Sequence, residues 1–372
     1  MRNSHLVDIV PMFRSKRQDQ SDASVQEAIN AVLESRQYVL GNQVKQFEER
    51  FAEFCGTNHC VSLANGTDAL ELALRAVGVT PGRFVLLAAN AGFYGSTAVR
   101  LIGAVPHYID IDQRSLTLSA GALDAHRGLR PAAVIVTHLY GQLAPDLEKI
   151  LNWAEANDIP VIEDCAQAHG ATRGSKRAGS FGTVGCFSFY PTKNLGGYGD
   201  GGAIVTNEDE TASKMKQLRQ YGWSTKYVNA LPGGRNSRLD EIQAAILRAK
   251  LPYLDKCNAL RREVAARYAA AFADLPLMLP VSLEEDYVAH LFVVRVSDRN
   301  AFRDHLKNAG VSTDIHYPIP DHQQAAYPCD QPRDALPVTE AACESVVSLP
   351  CFPGISSDEV DRVIGAVRTF FG

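Results

Sequence analysis

The sequence has no Cys-x-x-Cys pair: its eight cysteines (55, 60, 165, 186, 257, 329, 343 and 351) are scattered along 372 residues. That spacing supports neither a zinc site nor a disulfide framework, so no metal is expected and the thiols read as small buried hydrophobes. No apolar run approaches the roughly 18 residues of a membrane span, and no membrane partner is expected. Nor is any lysine/arginine block dense enough to follow a nucleic acid, and the net charge of −5 points the same way. The first residues, among them Arg2, Asp8, Arg14, Lys16, Arg17 and Asp19, lack the apolar centre of a secretory leader, so the expected compartment is the cytoplasm. Repeats and low-complexity tracts are absent too. What is present is an ordinary globular balance, 46% hydrophobic and 21% charged, in a chain longer than one average domain.

Periodicity organises that chain. Val25, Ile29, Val32 and Leu33 share one helical face, and Val44, Phe47, Phe51 and Phe54 form a second stripe after the Gly41-Asn42 break. Strand-like runs recur at 84–89, 105–109, 132–139, 160–163, 185–189 and 203–206. Several are uniformly apolar, as strands buried on both faces of a mostly parallel sheet are. A helical segment at 146–157 lies between two of them, which makes this an α/β layered fold with its site expected at the carboxyl ends of strands. A long helical pattern from Leu239 is interrupted at Pro252 and resumes through Leu260, Val264, Tyr268 and Phe272. A large domain over 1–250, including an N-terminal arm, and a smaller α+β domain over 251–372 are therefore expected. The smaller one should hold a strand at 290–296, a helix at 301–309, a strand at 311–315 and a last helix opened by Ser356 and Glu359 at capping-box spacing.

Three stretches carry chemistry. In Cys186-Phe187-Ser188-Phe189-Tyr190-Pro191-Thr192-Lys193-Asn194, a strand delivers a hydroxyl at Ser188, and proline sets Lys193 on a turn. A lysine whose pKa is lowered there can form a Schiff base, and the serine could hold a phosphate. The glycine-rich loop 196–202 follows. Upstream, Val61-Ser62-Leu63-Ala64-Asn65-Gly66-Thr67-Asp68 reads as a strand feeding a helix start, which suits a phosphate or is an ordinary helix cap. Asp164 ends a buried strand, where an acid needs a cation or several donors; a structural cap would explain it equally well. Together these supply a phosphate cradle, an anionic partner for a ring nitrogen and an imine-forming amine, which is what a pyridoxal phosphate site requires.

At this point the chain resembles the DegT/DnrJ/EryC1/StrS aminotransferases, which aminate nucleotide-linked keto-sugars. The matching stretches are Asn65-Gly66-Thr67-Asp68-Ala69-Leu70, His138 to Gln142, Glu163 to Ala171, Phe187 to Gly202, Asn236 to Ala245 and Ile315-His316-Tyr317-Pro318. They fall in the family's order across nearly the whole chain. The resemblance implies a fold-type I aminotransferase working as a homodimer with pyridoxal phosphate. Lys193 then corresponds to the lysine that carries the cofactor and moves the proton, Asp164 to the partner of the ring nitrogen, and Gln167 to a residue against the ring. Ser188 with the backbone of Gly66 and Thr67 would hold the phosphate, and Asn236 would reach it from the other subunit. A histidine replaces the lysine in the family's dehydratase branch, so Lys193 implies transamination. At Asn90-Ala91-Gly92-Phe93-Tyr94 the sequence departs from the family's commonest pattern; Phe93 or Tyr94 could cover the ring, and Tyr94 is preferred because a phenol tolerates a wet edge. His169, Tyr190, His316 and Tyr317 are the candidate substrate contacts. The expected reaction uses L-glutamate as donor and a dTDP-linked 3-keto-6-deoxyhexose as acceptor. The alternatives are a 4-keto-sugar nucleotide, or a non-catalytic regulator that binds the cofactor.

Overall fold

Seven strands form the central sheet of the computed structural model, which describes residues 9–14, 21–327 and 335–372. The reading of residues 1–8 and 15–20 and of Cys329 lies outside that range. In chain order the strands are β1 (His59–Leu63), β2 (Phe84–Ala88), β3 (Val105–Ile109), β4 (Ala133–Thr137), β5 (Val161–Asp164), β6 (Val184–Ser188) and β7 (Gly202–Thr206). Across the sheet they lie in the order β1-β7-β6-β5-β4-β2-β3. Only β7 runs against its neighbours, pairing antiparallel with both β1 and β6. The carboxyl ends of β1, β2, β4, β5 and β6 therefore share one edge.

The helices in the first part are α1 (Ser21–Ser35), α2 (Asn42–Cys55), α3 (Gly66–Ala76), α4 (Tyr94–Leu101), α5 (Leu147–Ala156), α6 (Asp209–Leu218) and α7 (Glu241–Lys250). Successive strand residues face opposite sides of the sheet, and the two cores divide accordingly. Cys186 and Ile204 pack under α3 with Leu72 and Ile162. Phe187, Ala203 and Val205 pack on the other face with Phe47, Phe51 and Leu247. Strands covered on both faces have no polar side to show, which is why they read as apolar runs. All seven described cysteines are buried and none forms a disulfide.

After α7, a 3-10 turn at Leu251–Tyr253 carries Pro252 and breaks the helical line before α8 (Leu254–Phe272). Beyond it lie β8 (Phe292–Arg295), α9 (Arg299–Asn308), α10 (Pro337–Ser345), β9 (Val346–Leu349) and α11 (Ser357–Phe371). Their core holds Tyr268, Phe272, Phe292, Phe302, Val363 and Val367, and Val10 joins it from the N-terminal side. α11 starts with the expected capping box: the Glu359 N–H donates to Ser356 Oγ and the Ser356 N–H donates back to Glu359.

The strand expected at 311–315 is a correction. The segment makes only single bridges, Val311 with Val10 and Asp314 with Ser348. Its two apolar ends serve different cores: Val311 packs with α8 and α9, whereas Ile315 packs with Leu116 and Tyr140. The chain here crosses between cores instead of lying along a sheet.

The same connection continues to Asp321, which ties it to α4. The Asp321 carboxylate accepts the Phe93 N–H at 3.0 Å and the Ser96 hydroxyl at 2.6 Å, while its own N–H donates to Ala89 O at 2.7 Å. Burial pushes its carboxyl up to about 6, against the pull of both donors and of Arg100. An unfolded aspartate titrates near about 3.9. Between those values the folded chain holds a proton that the unfolded chain releases, so stability falls as pH rises through this window and is level above it. Asp321→Asn can serve both partners as a neutral group. Relative to wild type it should gain on the order of 2 kcal/mol between pH 4 and pH 7 in urea unfolding; a difference that stays constant with pH would refute this.

Candidate active site

Lys193 stands on a turn that β6 and the glycine loop make rigid. Its N–H donates to Tyr190 O at 2.8 Å, and Gly197 N–H returns to Phe189 O at 2.8 Å. A Cβ on Gly196 would lie 2.5 Å from Pro191 O, so only glycine lets the loop close. The next residue, Asn194, is buried and donates to Asn258 Oδ1 and Val288 O. The Lys193 side chain faces a cavity of about 900 Å³ and is half-buried because that side is open. Burial pulls its ammonium down to about 8, although the charge of Asp164 works in the opposite direction.

Two adjacent acids at the end of β5 show how differently a strand end can treat a carboxylate. Glu163 is buried, which alone would raise it, yet it is held below the usual carboxylate range. It accepts from His138 Nε2 and from the N–H groups of Gly179, Phe181 and Gly182. Cys165 sits beside this pair, but the Glu163 carboxylate is already filled by those four donors. Asp164 faces the cavity with less: Ala166 N–H at 3.2 Å and the Thr137 hydroxyl at 3.4 Å. Its burial wins, and the carboxyl is raised. A cation placed against it would reverse that.

The phosphate-like corner is built from backbone. Asn65 caps α3 by accepting the Asp68 N–H at 2.8 Å, which leaves the Gly66 and Thr67 N–H groups outside the helix's own bonding. A Cβ on Gly66 would lie 2.7 Å from Ser188 Cβ, and one on Gly202 would collide with Asn65 O. The starts of α3 and β7 and the end of β6 thus meet at two glycines, with the Ser188 side chain against Gly66. The cap is an ordinary one, and the helix start opens on the cavity.

Aromatic residues form the opposite wall. Gln167 accepts the Tyr140 N–H at 2.6 Å and donates to the Tyr317 hydroxyl at 3.0 Å, so its amide cannot turn freely. Gly92, at φ +76°, leaves room for the Tyr317 ring, which a Cβ there would meet at 2.9 Å. Tyr94 lies edge-on to Tyr317 at 6.1 Å and lines the cavity. Phe93 turns away and stacks on Tyr327 at 5.3 Å. Of the two rings at this position, the tyrosine is the one at the site.

Ten of the residues singled out in the sequence come together around this cavity: Gly66, Thr67, Tyr94, Asp164, Gln167, Ser188, Tyr190, Lys193, His316 and Tyr317. Two do not. His169 is fully buried, its ring against Phe187 at 5.3 Å and Phe189 at 5.8 Å, and burial depresses it to about 3. The turn after β5 carries it to the far face of β6, so it is a neutral core residue. Asn236 is exposed and outside the cavity of its own chain, because Arg235 fastens its loop to Asp68 and Glu71 on the flank of α3. Sequence reasoning missed Thr137 and His290, which also line the cavity. His290 sat inside a run read only as strand.

A lysine and a strand-end aspartate on one cavity, at the carboxyl edge of a sheet with a single reversed strand, define a fold-type I aminotransferase. The sequence matches the DegT/DnrJ/EryC1/StrS aminotransferase family over residues 19–368, and the chain belongs to that family. It is 44% identical, over 93% of its length and 95% of the relative's, to the dTDP-3-amino-3,6-dideoxy-alpha-D-galactopyranose transaminase of Aneurinibacillus thermoaerophilus. A UDP-N-acetyl-3-dehydro-alpha-D-glucosamine 3-aminotransferase of Acidithiobacillus ferrooxidans is 40% identical, over 91% of this chain and 92% of that one. The solved structure of Streptomyces venezuelae DesV in complex with a ketimine intermediate superposes with a TM-score of 0.92 at 39% identity, covering 97% of this chain and 98% of DesV. The family's aminotransferases depend on pyridoxal phosphate. The residues here fit it: the side-chain-free corner beside Ser188 suits its phosphate, and the raised carboxyl of Asp164 suits its ring nitrogen.

Proposed function

We propose that the chain transfers the amino group of L-glutamate to a dTDP-linked 3-keto-6-deoxyhexose, with pyridoxal phosphate as cofactor and a homodimer as the working form. The convergence of Lys193, Asp164, Ser188 and the first turn of α3 on one cavity carries this reading. The substrate class rests on the activity of the Aneurinibacillus relative. When bound, the cofactor would supply an electron sink for the carbon that exchanges its hydrogen.

The chain's own residues do the rest. Lys193, with a pKa near 8, is poised to take a proton at Nζ and return it close to neutral pH. The Asp164 carboxylate would hold a positively charged ring nitrogen, and Ser188 Oγ with the Gly66 and Thr67 N–H groups would hold the phosphate. Gln167, fixed by Tyr140 and Tyr317, is a rigid wall, and Tyr94 with Tyr317 would keep water from the reacting side. Tyr190 and His316 are left for the sugar nucleotide. Asn236, exposed in one chain, is available to the cavity of a second copy. A domain division at 250/251 belongs to the same reading, as does a cytoplasmic location; among the described residues no helix is long and apolar enough to cross a membrane.

The test is the near-ultraviolet and visible absorbance of the purified protein, before and after L-glutamate and then with keto-sugar nucleotides. A cofactor band that shifts with glutamate and returns only with a 3-keto sugar is the expected result. Return with a 4-keto sugar would move the reaction to the neighbouring carbon. A band that ignores every donor would favour the regulator, and no band after adding pyridoxal phosphate would sink the role of Lys193.

A further inference from the structure

A chain of buried hydrogen bonds beside Lys193 fixes the tautomer of a histidine that lines the cavity. Asn258 Nδ2 donates to His169 O at 2.8 Å, so Asn258 Oδ1 is free to act as an acceptor. Asn194 Nδ2 donates to that Oδ1 at 2.9 Å and to Val288 O at 3.0 Å. Backbone carbonyls can only accept, so they orient both amides. Asn194 Oδ1 is then the atom facing His290 Nδ1 at 2.9 Å, and that nitrogen must carry the hydrogen. Asn194, Asn258 and His290 are all buried, so water does not compete for these bonds. Burial, aided by the charges of Lys193 and Arg261, holds the imidazole well below its ordinary range and therefore neutral. Its Nε2 is consequently an acceptor with no hydrogen of its own.

That acceptor matters because His290 shares the cavity with donors: Lys193, the Gln167 amide and the hydroxyls of Tyr94 and Tyr190. A sugar presents hydroxyl hydrogens, and its aminated form presents amine hydrogens as well. We propose that His290 is a further substrate-binding residue, whose Nε2 accepts a hydrogen bond from a hydroxyl or amine hydrogen of the sugar at the Lys193 end of the cavity. The proposal rests on the nucleotide-sugar reading above. It also gives Asn194 two roles, since one side chain fixes both the turn of Lys193 and the tautomer of His290.

Two variants separate those roles. His290→Asn keeps a donor near the Nδ1 position, and so the link to Asn194, but has nothing at Nε2. His290→Gln reaches toward Nε2 but breaks the link. The probes are dTDP-3-amino-3,6-dideoxy-alpha-D-galactopyranose, a UDP-linked 3-amino sugar, and each nucleoside diphosphate alone, titrated calorimetrically into the holoenzyme. His290→Asn should weaken binding of the amino sugar that wild type accepts by about tenfold. It should leave the nucleoside diphosphate's affinity and the cofactor's absorbance band unchanged. His290→Gln should bind the sugar more tightly than His290→Asn and lose chiefly kcat, through a loosened Lys193 turn. If wild type binds an amino sugar and His290→Asn binds it equally well, this proposal falls alone. If wild type binds neither sugar, the functional reading falls and takes the proposal with it.

Discussion

Lys193→Ala is expected to lower transamination by about 10⁴-fold or more, with the fold and the affinity for the sugar nucleotide retained. Among the described residues lining the cavity, Lys193 is the one primary amine. Arg261 lines the same cavity, but a guanidinium does not give up its proton and cannot substitute. The loss should not be structural. An ammonium pulled down to about 8 by burial is a strained guest in the folded state, and alanine removes it. The sign follows from linkage: between about 8 and 10.4 the unfolded lysine holds a proton the folded one has released. Wild-type apoprotein therefore gains stability as pH rises across that window, and Lys193→Ala does not. Single-turnover kinetics and urea unfolding at pH 7 and pH 10 check both halves. A variant turning over within tenfold of wild type would remove Lys193 from the chemistry.

Asp164→Asn should separate activity from stability more sharply. The amide can still accept the Ala166 N–H, and the neutral group escapes the burial that raises the carboxyl. Unfolding free energy should stay level or rise by about 1 kcal/mol. Turnover should nevertheless fall by about 10²- to 10³-fold and cofactor retention weaken, because an amide cannot balance a charged ring nitrogen. Dialysis followed by absorbance measures retention, and steady-state rates measure the rest. An unchanged rate would leave Asp164 as an ordinary strand-end acid.

Much of this was legible in the sequence because each central group sits at a strand end with its own local signal. Ser188 ends β6, Asp164 ends β5, and Gly66 opens α3 after β1, so reading strands already ordered the site. The departures are places where a side chain's destination depends on register or on distant contacts. His169 follows Asp164 by five residues, yet a turn sends it behind the sheet against Phe187. His290 lies 97 positions from Lys193 and is joined to it through Asn194, a pairing no local pattern announces. The 311–315 segment has the composition of a strand but serves two cores. α4 is eight residues long and follows a left-handed Phe93, too short for periodicity to reveal.

The bare meeting of Gly66, Ser188, Asn65 and Gly202 has an implication for how this enzyme can change. Gly202 abuts the Asn65–Gly66 backbone and Gly66 abuts Ser188, so a side chain added at 66 or 202 would have to displace the neighbouring segment. The wall formed by Tyr94, Tyr190, His316 and Tyr317 is looser: its members are half-buried or exposed and come from three separate segments. Directed evolution toward a new sugar should accumulate its changes on the aromatic side, with the anion corner left untouched.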